Sequence, residues 1–241
     1  MSEAYSLSVI VPFYNEERYL AESVQRLLNI QICNQILLVD DNSSDNSLKI
    51  AKTIQASNNN VELIKLTNNQ GKGNAIREAL KSVKSTHTIV HDADLEYFPE
   101  DIIPMFDLAK KYPNSMVIGS RTLDGKERDN KYKLTFYANK YLTYLFSILN
   151  LSRLSDIASC YWLIETKILK KLNITEKGFS IEVEVLSKFL RTKNKILEVP
   201  ISYSGRTYQD GKKIKFVDGI KIFFKILKYS RLANPFKFIK I

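Results

Sequence analysis

The hexapeptide His91-Asp92-Ala93-Asp94-Leu95-Glu96 puts three carboxylates at two-residue spacing, directly after a short apolar run ending in Ile89-Val90. On an extended segment, residues two apart point the same way, so Asp92 and Asp94, with or without Glu96, are expected to converge while Ala93 and Leu95 face the core. Carboxylates held that close raise one another's pKa unless a cation neutralises them. A hard divalent ion, Mg²⁺ or Mn²⁺, suits the task, since it takes one or two carboxylates and completes its shell with phosphate oxygens. The alternative is a solvated acidic turn, because short D-x-D strings arise often by chance.

Two further polar clusters follow apolar runs. In Val9-Ile10-Val11-Pro12-Phe13-Tyr14-Asn15-Glu16, Pro12 removes a ladder donor, Tyr14 offers a flat face for a base, and Glu16 can accept from a base or ribose. An ordinary strand-to-helix turn would look the same. In Val39-Asp40-Asp41-Asn42-Ser43, Asp41 can accept from a base N–H, whereas Asp40 can simply cap the next helix. Three polar strand ends on one sheet edge are harder to dismiss than any single one.

The elements that must position these groups are legible as apolar runs of strand length at Leu7 to Val11, Gln35 to Val39, Val61 to Leu66, Thr88 to His91 and Met116 to Ile118. Runs apolar on both faces, alternating with helical stretches, predict βαβ units in a mostly parallel, Rossmann-like α/β sheet flanked by helices. A ligand site is then expected beyond the carboxyl ends of the strands. One helix carries Leu48, Ala51 and Ile54 behind the capping cluster Asn42-Ser43-Ser44-Asp45; another runs from about Gly73 to Val83; Pro99-Glu100-Asp101 opens a third. The polar stretch Gly119 to Lys131 reads as a mobile loop. Beyond it, Leu134, Tyr137, Tyr141, Leu145 and Ile148 mark an aromatic amphipathic helix. Strands are expected again at Tyr161 to Ile164 and Ile196 to Ile201, around a helix near Ile181 to Leu190. A last helix, Lys215 to Tyr229, sets Phe216, Ile220, Phe223 and Leu227 against a stripe of Lys221, Lys225 and Lys228. One domain over residues 1–230 is expected, with a basic amphipathic tail at 231–241.

With 241 residues, 44% of them hydrophobic, the chain has enough apolar side chains for a single sizeable core. Its net charge of +10 favours anionic partners: nucleic acid, acidic lipid or phosphorylated small molecules. Against nucleic acid, basic and acidic residues alternate through the first half and no recognition motif appears. Cys33 and Cys160 lie far apart and suggest neither a disulfide framework nor a zinc site, which fits a reducing compartment. Neither a secretory signal nor an apolar run long enough to span a bilayer is seen.

Taken in order, Val-Pro-Phe-Tyr-Asn-Glu, Val-Asp-Asp-Asn-Ser-Ser-Asp, Asn69-Gln70-Gly71-Lys72-Gly73, Asp-Ala-Asp-Leu-Glu and Gly119-Ser120-Arg121 resemble the family 2 inverting glycosyltransferases of the GT-A fold. Within that family the chain is most similar to the dolichyl-phosphate mannose and glucose synthase group, from about Leu7 to Tyr229. The resemblance implies metal-dependent transfer of a hexose from a nucleotide sugar, GDP-mannose or UDP-glucose, to a polyprenyl phosphate at a membrane surface. It places Pro12, Tyr14, Glu16 and Asp41 at the nucleoside, and Asp92, Asp94 and Glu96 at metal and diphosphate. Lys72 and Ala93 join the donor-binding set. Arg121 and Lys133 are assigned to the acceptor phosphate, and Arg206, Lys212 and Lys213 to a basic loop over the donor phosphates.

Asp94, Arg121 and Asp156 are the catalytic candidates, Asp156 as a base if the acceptor is a hydroxyl. His87 and His91 read as strand residues. Many members carry Gln at the place of Glu96 and a polar residue at that of Ala158, and no Gln-x-x-Arg-Trp motif of processive synthases is present. An acceptor in a membrane gives the aromatic and basic helices a purpose, resting on its cytoplasmic face. The competing expectations are transfer to a soluble or glycan hydroxyl, and a non-catalytic nucleotide-sugar-binding or nucleic-acid-binding protein.

Overall fold

The structure is a computed structural model that describes residues 5–129, 131–207, 209, 211, 213 and 216–233. Four parallel strands come first: β1 (Leu7–Phe13), β2 (Gln35–Asp40), β3 (Val61–Lys65) and β4 (His87–Val90). They alternate with α1 (Leu20–Asn29), α2 (Ser47–Ser57) and α3 (Lys72–Leu80). A 3₁₀ turn at Pro99–Asp101 leads into α4 (Ile102–Lys111), then β5 (Met116–Ser120), the two-residue β6 (Arg128–Asp129) and the long α5 (Lys133–Asn150). The second half adds β7 (Trp162–Glu165), α6 (Thr166–Lys171), α7 (Ile181–Leu190), β8 (Ile196–Pro200), β9 (Tyr203–Ser204) and α8 (Phe216–Tyr229).

Seven strands form one sheet in the order β3-β2-β1-β4-β7-β5-β8, in which only β7 runs antiparallel to its neighbours, and β6 pairs with β9 in a small separate ribbon. Alternate residues of each strand enter opposite cores. Ile10, Leu37, Val39 and Val90 pack with α3, α5, α6, α7 and α8, while Val9, Val11, Leu38 and Ile89 pack with α1, α2 and α4. Burial on both faces explains why these strands read as continuous apolar runs. From β1 the chain moves on to β2 and from β4 to β5, in opposite directions along the sheet, and a crevice opens at the carboxyl ends of β1 and β4. Because β7 is antiparallel, the segment entering it, residues 156–161, meets the same edge.

One expectation is widened and two change. The cluster Asn42 to Asp45 caps α2 through Asp45 Oδ1, which accepts from Ser47 N–H (2.9 Å), while the N-cap residue Asn46 makes no side-chain cap bond. It also ties two strand-end loops together. Ser43 Oγ accepts from Asn15 N–H (3.0 Å), Asn15 Oδ1 from Ser44 N–H (2.8 Å), and Ser47 Oγ from Glu16 N–H (2.8 Å). Residues 93–96 are not extended but turn and bend, with Leu95 in the left-handed region at φ 62°. A non-glycine residue there is costly and persists where packing over-determines it. Finally, the stretch Gly119 to Lys131 contains the end of β5 and all of β6. Its middle is fastened by Lys126 to the buried Asp101 (3.0 Å).

Candidate active site

The strand ends line a cleft of about 520 Å³, within the size range of small-molecule sites. Pro12, Tyr14, Glu16 and Asp41 stand at one end of it; Lys72, Asp92, Ala93, Asp94 and Glu96 occupy the middle; Arg121 lies at the other end. Pairing of β1 with β4 stops at Ile10, while its ladder with β2 runs on to Phe13, so Pro12 interrupts one side only. The Asp41 carboxylate is fixed by the loop before α3, accepting from Gln70 N–H (3.0 Å) and Gly71 N–H (2.7 Å). Gly71 is required: its φ is 94°, and a Cβ there would lie 2.7 Å from the Lys177 carbonyl oxygen.

Lys72, the first residue of α3, is buried between two carboxylates, 2.8 Å from Asp92 and 3.0 Å from Glu182. Burial alone would depress its ammonium, but the two acids hold it well above its ordinary range. Asp92 is pushed up by burial and pulled back further by Lys72, so it titrates low. Asp94 behaves oppositely. Burial and the adjacent charges of Glu96 and Asp92 outweigh Arg206, and its carboxyl rises to about 7. Its Oδ1 accepts from Glu96 N–H (3.1 Å) and its Oδ2 from Arg206 Nη2 (3.0 Å).

A carboxyl raised by like charges is one that added positive charge would ionise, and in that respect Asp94, with Asp92 beside it, fits a divalent cation completed by phosphate oxygens. Among the described residues no three His, Cys, Asp or Glu side chains converge as a protein-only ligand set. Glu96 is engaged elsewhere: its carboxylate accepts from Tyr203 Oη and from the Arg206 backbone N–H, both at 2.7 Å. The carboxylate convergence expected from an extended segment is therefore replaced by Asp92 on Lys72, Asp94 on Arg206 and Glu96 on segment 203–206.

The basic loop reaches the site as anticipated. Arg206 pairs with Glu16 (3.1 Å) as well as Asp94, and Lys213 pairs with Glu16 (2.5 Å) and donates to the Tyr14 carbonyl. Lys212 and Tyr208 lie outside the described residues, as does the tail from residue 234. At the far end Arg121 is gripped by the buried Asp156 through Nε (2.7 Å), Nη2 (2.9 Å) and its backbone N–H (3.1 Å), with its guanidinium 5.0 Å from the Tyr203 ring centre. Burial would raise the Asp156 carboxyl, but Arg121 keeps it below the usual range. Lys133 is exposed at the start of α5, outside the cleft; Lys131 lines the small hollow beside Arg121 instead.

His87 is paired within β4, and His91 is enclosed by Tyr161 Oη (2.7 Å) and Ser23 Oγ (3.0 Å), its pKa pushed down to about 4 by burial. Neither faces the cleft. Sequence reading missed Glu182, Cys160 and Tyr203, all of which line it. For Glu182 a signal existed: Glu182 and Glu184 interrupt an otherwise apolar helix start, where an acid is buried only with a partner.

This arrangement of sheet, crevice and acidic centre defines a glycosyltransferase of the GT-A fold. The fold is shared with glucosyl-3-phosphoglycerate synthase of Mycobacterium tuberculosis, solved with Mn²⁺, UDP and glucosyl-3-phosphoglycerate (TM-score 0.75, 13% identity, 94% of this chain and 80% of that one). Residues 8–172 match the family described as Glycosyl transferase family 2, and the chain belongs to it. Similar proteins include the dolichol-phosphate mannosyltransferases of Pyrococcus furiosus (28% identity; 86% of this chain, 58% of that one) and Mycosarcoma maydis (29%; 98% and 82%). A UDP-N-acetylglucosamine–dolichyl-phosphate N-acetylglucosaminyltransferase of Methanococcus voltae is 29% identical over 91% of this chain and 94% of that one. The chain thus spans little more than half of the Pyrococcus protein.

Proposed function

We propose that this glycosyltransferase moves a hexose, with inversion, from a nucleotide sugar to a polyprenyl phosphate at a membrane surface, assisted by a divalent cation. The observation that carries this reading is one continuous cleft along the strand ends, with Asp41, Glu16 and Tyr14 after β2 and β1, the half-buried Asp94 after β4 and a rigidly held Arg121 after β5. That order suits nucleoside, diphosphate and acceptor phosphate in turn. The similarity to transferases named for dolichyl phosphate supports the acceptor class.

A cation held by Asp94 and Asp92 would supply charge stabilisation to the departing nucleoside diphosphate. Arg206 and Lys213 are placed to trade their pairing with Glu16 and Asp94 for the diphosphate oxygens, preorganised positive charge being a large catalytic contribution. Arg121, locked by Asp156 and the Tyr203 ring, presents a fixed cation to an anionic acceptor. A phosphate oxygen is already ionised at neutral pH and needs no strong base. With both oxygens on Arg121, Asp156 is placed to position that arginine rather than to remove a proton, which favours a phosphate over a hydroxyl acceptor.

Membrane contact is supported by an outward stripe on α5, where Leu134, Tyr137, Tyr141, Tyr144 and Ile148 are exposed, and by Val217, Ile220 and Phe224 on the neighbouring α8. No helix among the described residues is long and apolar enough to cross a membrane. Free thiols at Cys33 and Cys160 fit a reducing compartment and hence the cytoplasmic face.

The test is a donor screen, GDP-mannose, UDP-glucose and UDP-N-acetylglucosamine, with Mn²⁺ or Mg²⁺ and a short polyprenyl phosphate, reading nucleoside diphosphate release. Release that requires the lipid phosphate and disappears in Asp94→Ala supports the reading. Equal turnover with a soluble hydroxyl acceptor, or full activity in Asp94→Ala, rejects it.

A further inference from the structure

Glu96 holds the segment 203–206 at three points. Its carboxylate accepts from Tyr203 Oη at one oxygen and from the Arg206 N–H at the other, each 2.7 Å, and its carbonyl oxygen accepts from Ser204 N–H (2.9 Å). Glu96 as a residue is 9% exposed, so these bonds are sheltered from water. One neighbour reinforces the contact twice: Tyr97 bridges to Tyr203 in the backbone, and their rings meet edge to face at 5.4 Å. What the contact fixes is the root of the Arg206 side chain, whose guanidinium then reaches Asp94 (3.0 Å) and Glu16 (3.1 Å). The opposite face of the same latch matters too, since the Tyr203 ring carries the Arg121 guanidinium at 5.0 Å.

We propose that Glu96 and Tyr203 form a latch that sets Arg206 over the donor phosphates, and that Glu96 is a positioning residue of this site rather than a cation ligand. The inference rests on the reading of the cleft as a donor site, and it divides the acidic motif by task. Asp92 answers Lys72, Asp94 is the group short of positive charge, and Glu96 orients the loop. The chemistry of the latch needs an acceptor for Arg206 N–H and a partner for the tyrosine hydroxyl. A glutamine satisfies both, its amide oxygen accepting from Arg206 and its NH₂ donating to Tyr203 Oη. Glutamine at position 96 therefore preserves the latch, whereas alanine abolishes it.

Four variants, Glu96→Gln, Glu96→Ala, Tyr203→Phe and Asp94→Asn, separate the two roles. Amide hydrogen exchange across residues 203–206, without metal or donor, reads the latch. It is expected to rise about tenfold or more in Glu96→Ala and Tyr203→Phe, the loss of a hydrogen bond to a charged group, and to stay near wild type in Glu96→Gln. Tyr203→Phe keeps the ring under Arg121 and guards against a folding defect in the alanine variant. Titration of Mn²⁺ alone, followed by electron paramagnetic resonance, reads the cation site. Glu96→Gln is expected to match wild type, and Asp94→Asn to lose binding. Unchanged exchange in both Glu96→Ala and Tyr203→Phe overturns the latch, and weakened Mn²⁺ binding in Glu96→Gln equal to that in Asp94→Asn overturns the placing of Glu96 outside the cation's ligands. Absence of Mn²⁺ binding in wild type sinks the cation reading of Asp94, while exchange still decides the latch. In turnover, a fall in kcat with metal dependence unchanged in Tyr203→Phe is the matching signature.

Discussion

Arg121 is held at three atoms by one buried carboxylate, a geometry that only a planar, forked cation can satisfy. Arg121→Lys is accordingly expected to cut kcat/KM for the acceptor about tenfold to a hundredfold, with donor KM little changed; initial-rate kinetics over both substrates checks this. Lys72 makes a different demand, since it neutralises Asp92 and Glu182 together in the wall of the cleft. Lys72→Met leaves the buried Glu182 uncompensated beside the half-buried Asp92 and is expected to destabilise the fold by about 3 kcal/mol in urea melts. Adding Glu182→Gln to it should return part of that loss, because one of the stranded charges is removed. Glu182 itself had a sequence signal; Tyr203 had none, being one tyrosine among thirteen.

At the scale of elements, α5 and α8 divide their faces. Leu142 and Phe146 of α5 and Ile226 of α8 enter the core, while the tyrosines of α5 point outward. The sequence showed the helical period, but not which of its apolar stripes was surplus, as both are spaced at three and four residues. Leu145 belongs to the packed face and Tyr144 to the exposed one. Replacing Tyr137, Tyr141 and Tyr144 together by Ser is expected to leave thermal stability nearly unchanged and to reduce flotation with anionic liposomes several-fold, since interfacial tyrosines anchor without supporting the core. A second element rests on one acid. Glu184, fully buried in α7, accepts from Thr175 N–H (2.9 Å), Thr175 Oγ1 (2.7 Å) and Glu176 N–H (2.7 Å), and pairs with Lys188 (2.7 Å). It thereby holds the 175–177 loop, whose Lys177 carbonyl accepts from Asn74 N–H (3.1 Å) beneath Lys72. Glu184→Ala is expected to cost about 2–4 kcal/mol in denaturant melts and to raise donor KM.

Across the whole molecule, acid stability should fall in two stages. His87 and His91 are both kept neutral by burial, His87 with its pKa below the ordinary 6.5 and His91 with its pKa pushed down to about 4. The unfolded chain then binds the extra proton first, so stability is lost as pH falls through about 6.5, the unfolded value. Asp156, Glu165 and Glu184 are held below their ordinary values by their partners against the opposing pull of burial, and the stability they add is present above about pH 4 and lost below it. Urea midpoints from pH 8 to pH 3 check this against His87→Phe, which should lose less stability than its parent as pH falls through about 6.5 and the same amount below pH 4, His91 carrying the rest of the upper step.

What the sequence by itself determined is the sheet and its polar edge. Strands buried on both faces must be apolar throughout, and a strand that opens into a ligand crevice must change to polar residues where it does. Both facts are local, and β1, β2, β4 and β5 with Asp41, Asp94 and Arg121 at or beyond their ends were legible for that reason. Which charge meets which was decided only by the tertiary structure. Glu96 and Arg206 stand 110 positions apart, and Lys72 and Glu182 are likewise brought together only when α3 and α7 pack on one face of the sheet. The turn at Leu95 was hidden too, because its φ of 62° is imposed by packing and not by leucine. In the hexapeptide that follows β4, spacing announced an acidic centre, and folding divided its three carboxylates among three different partners.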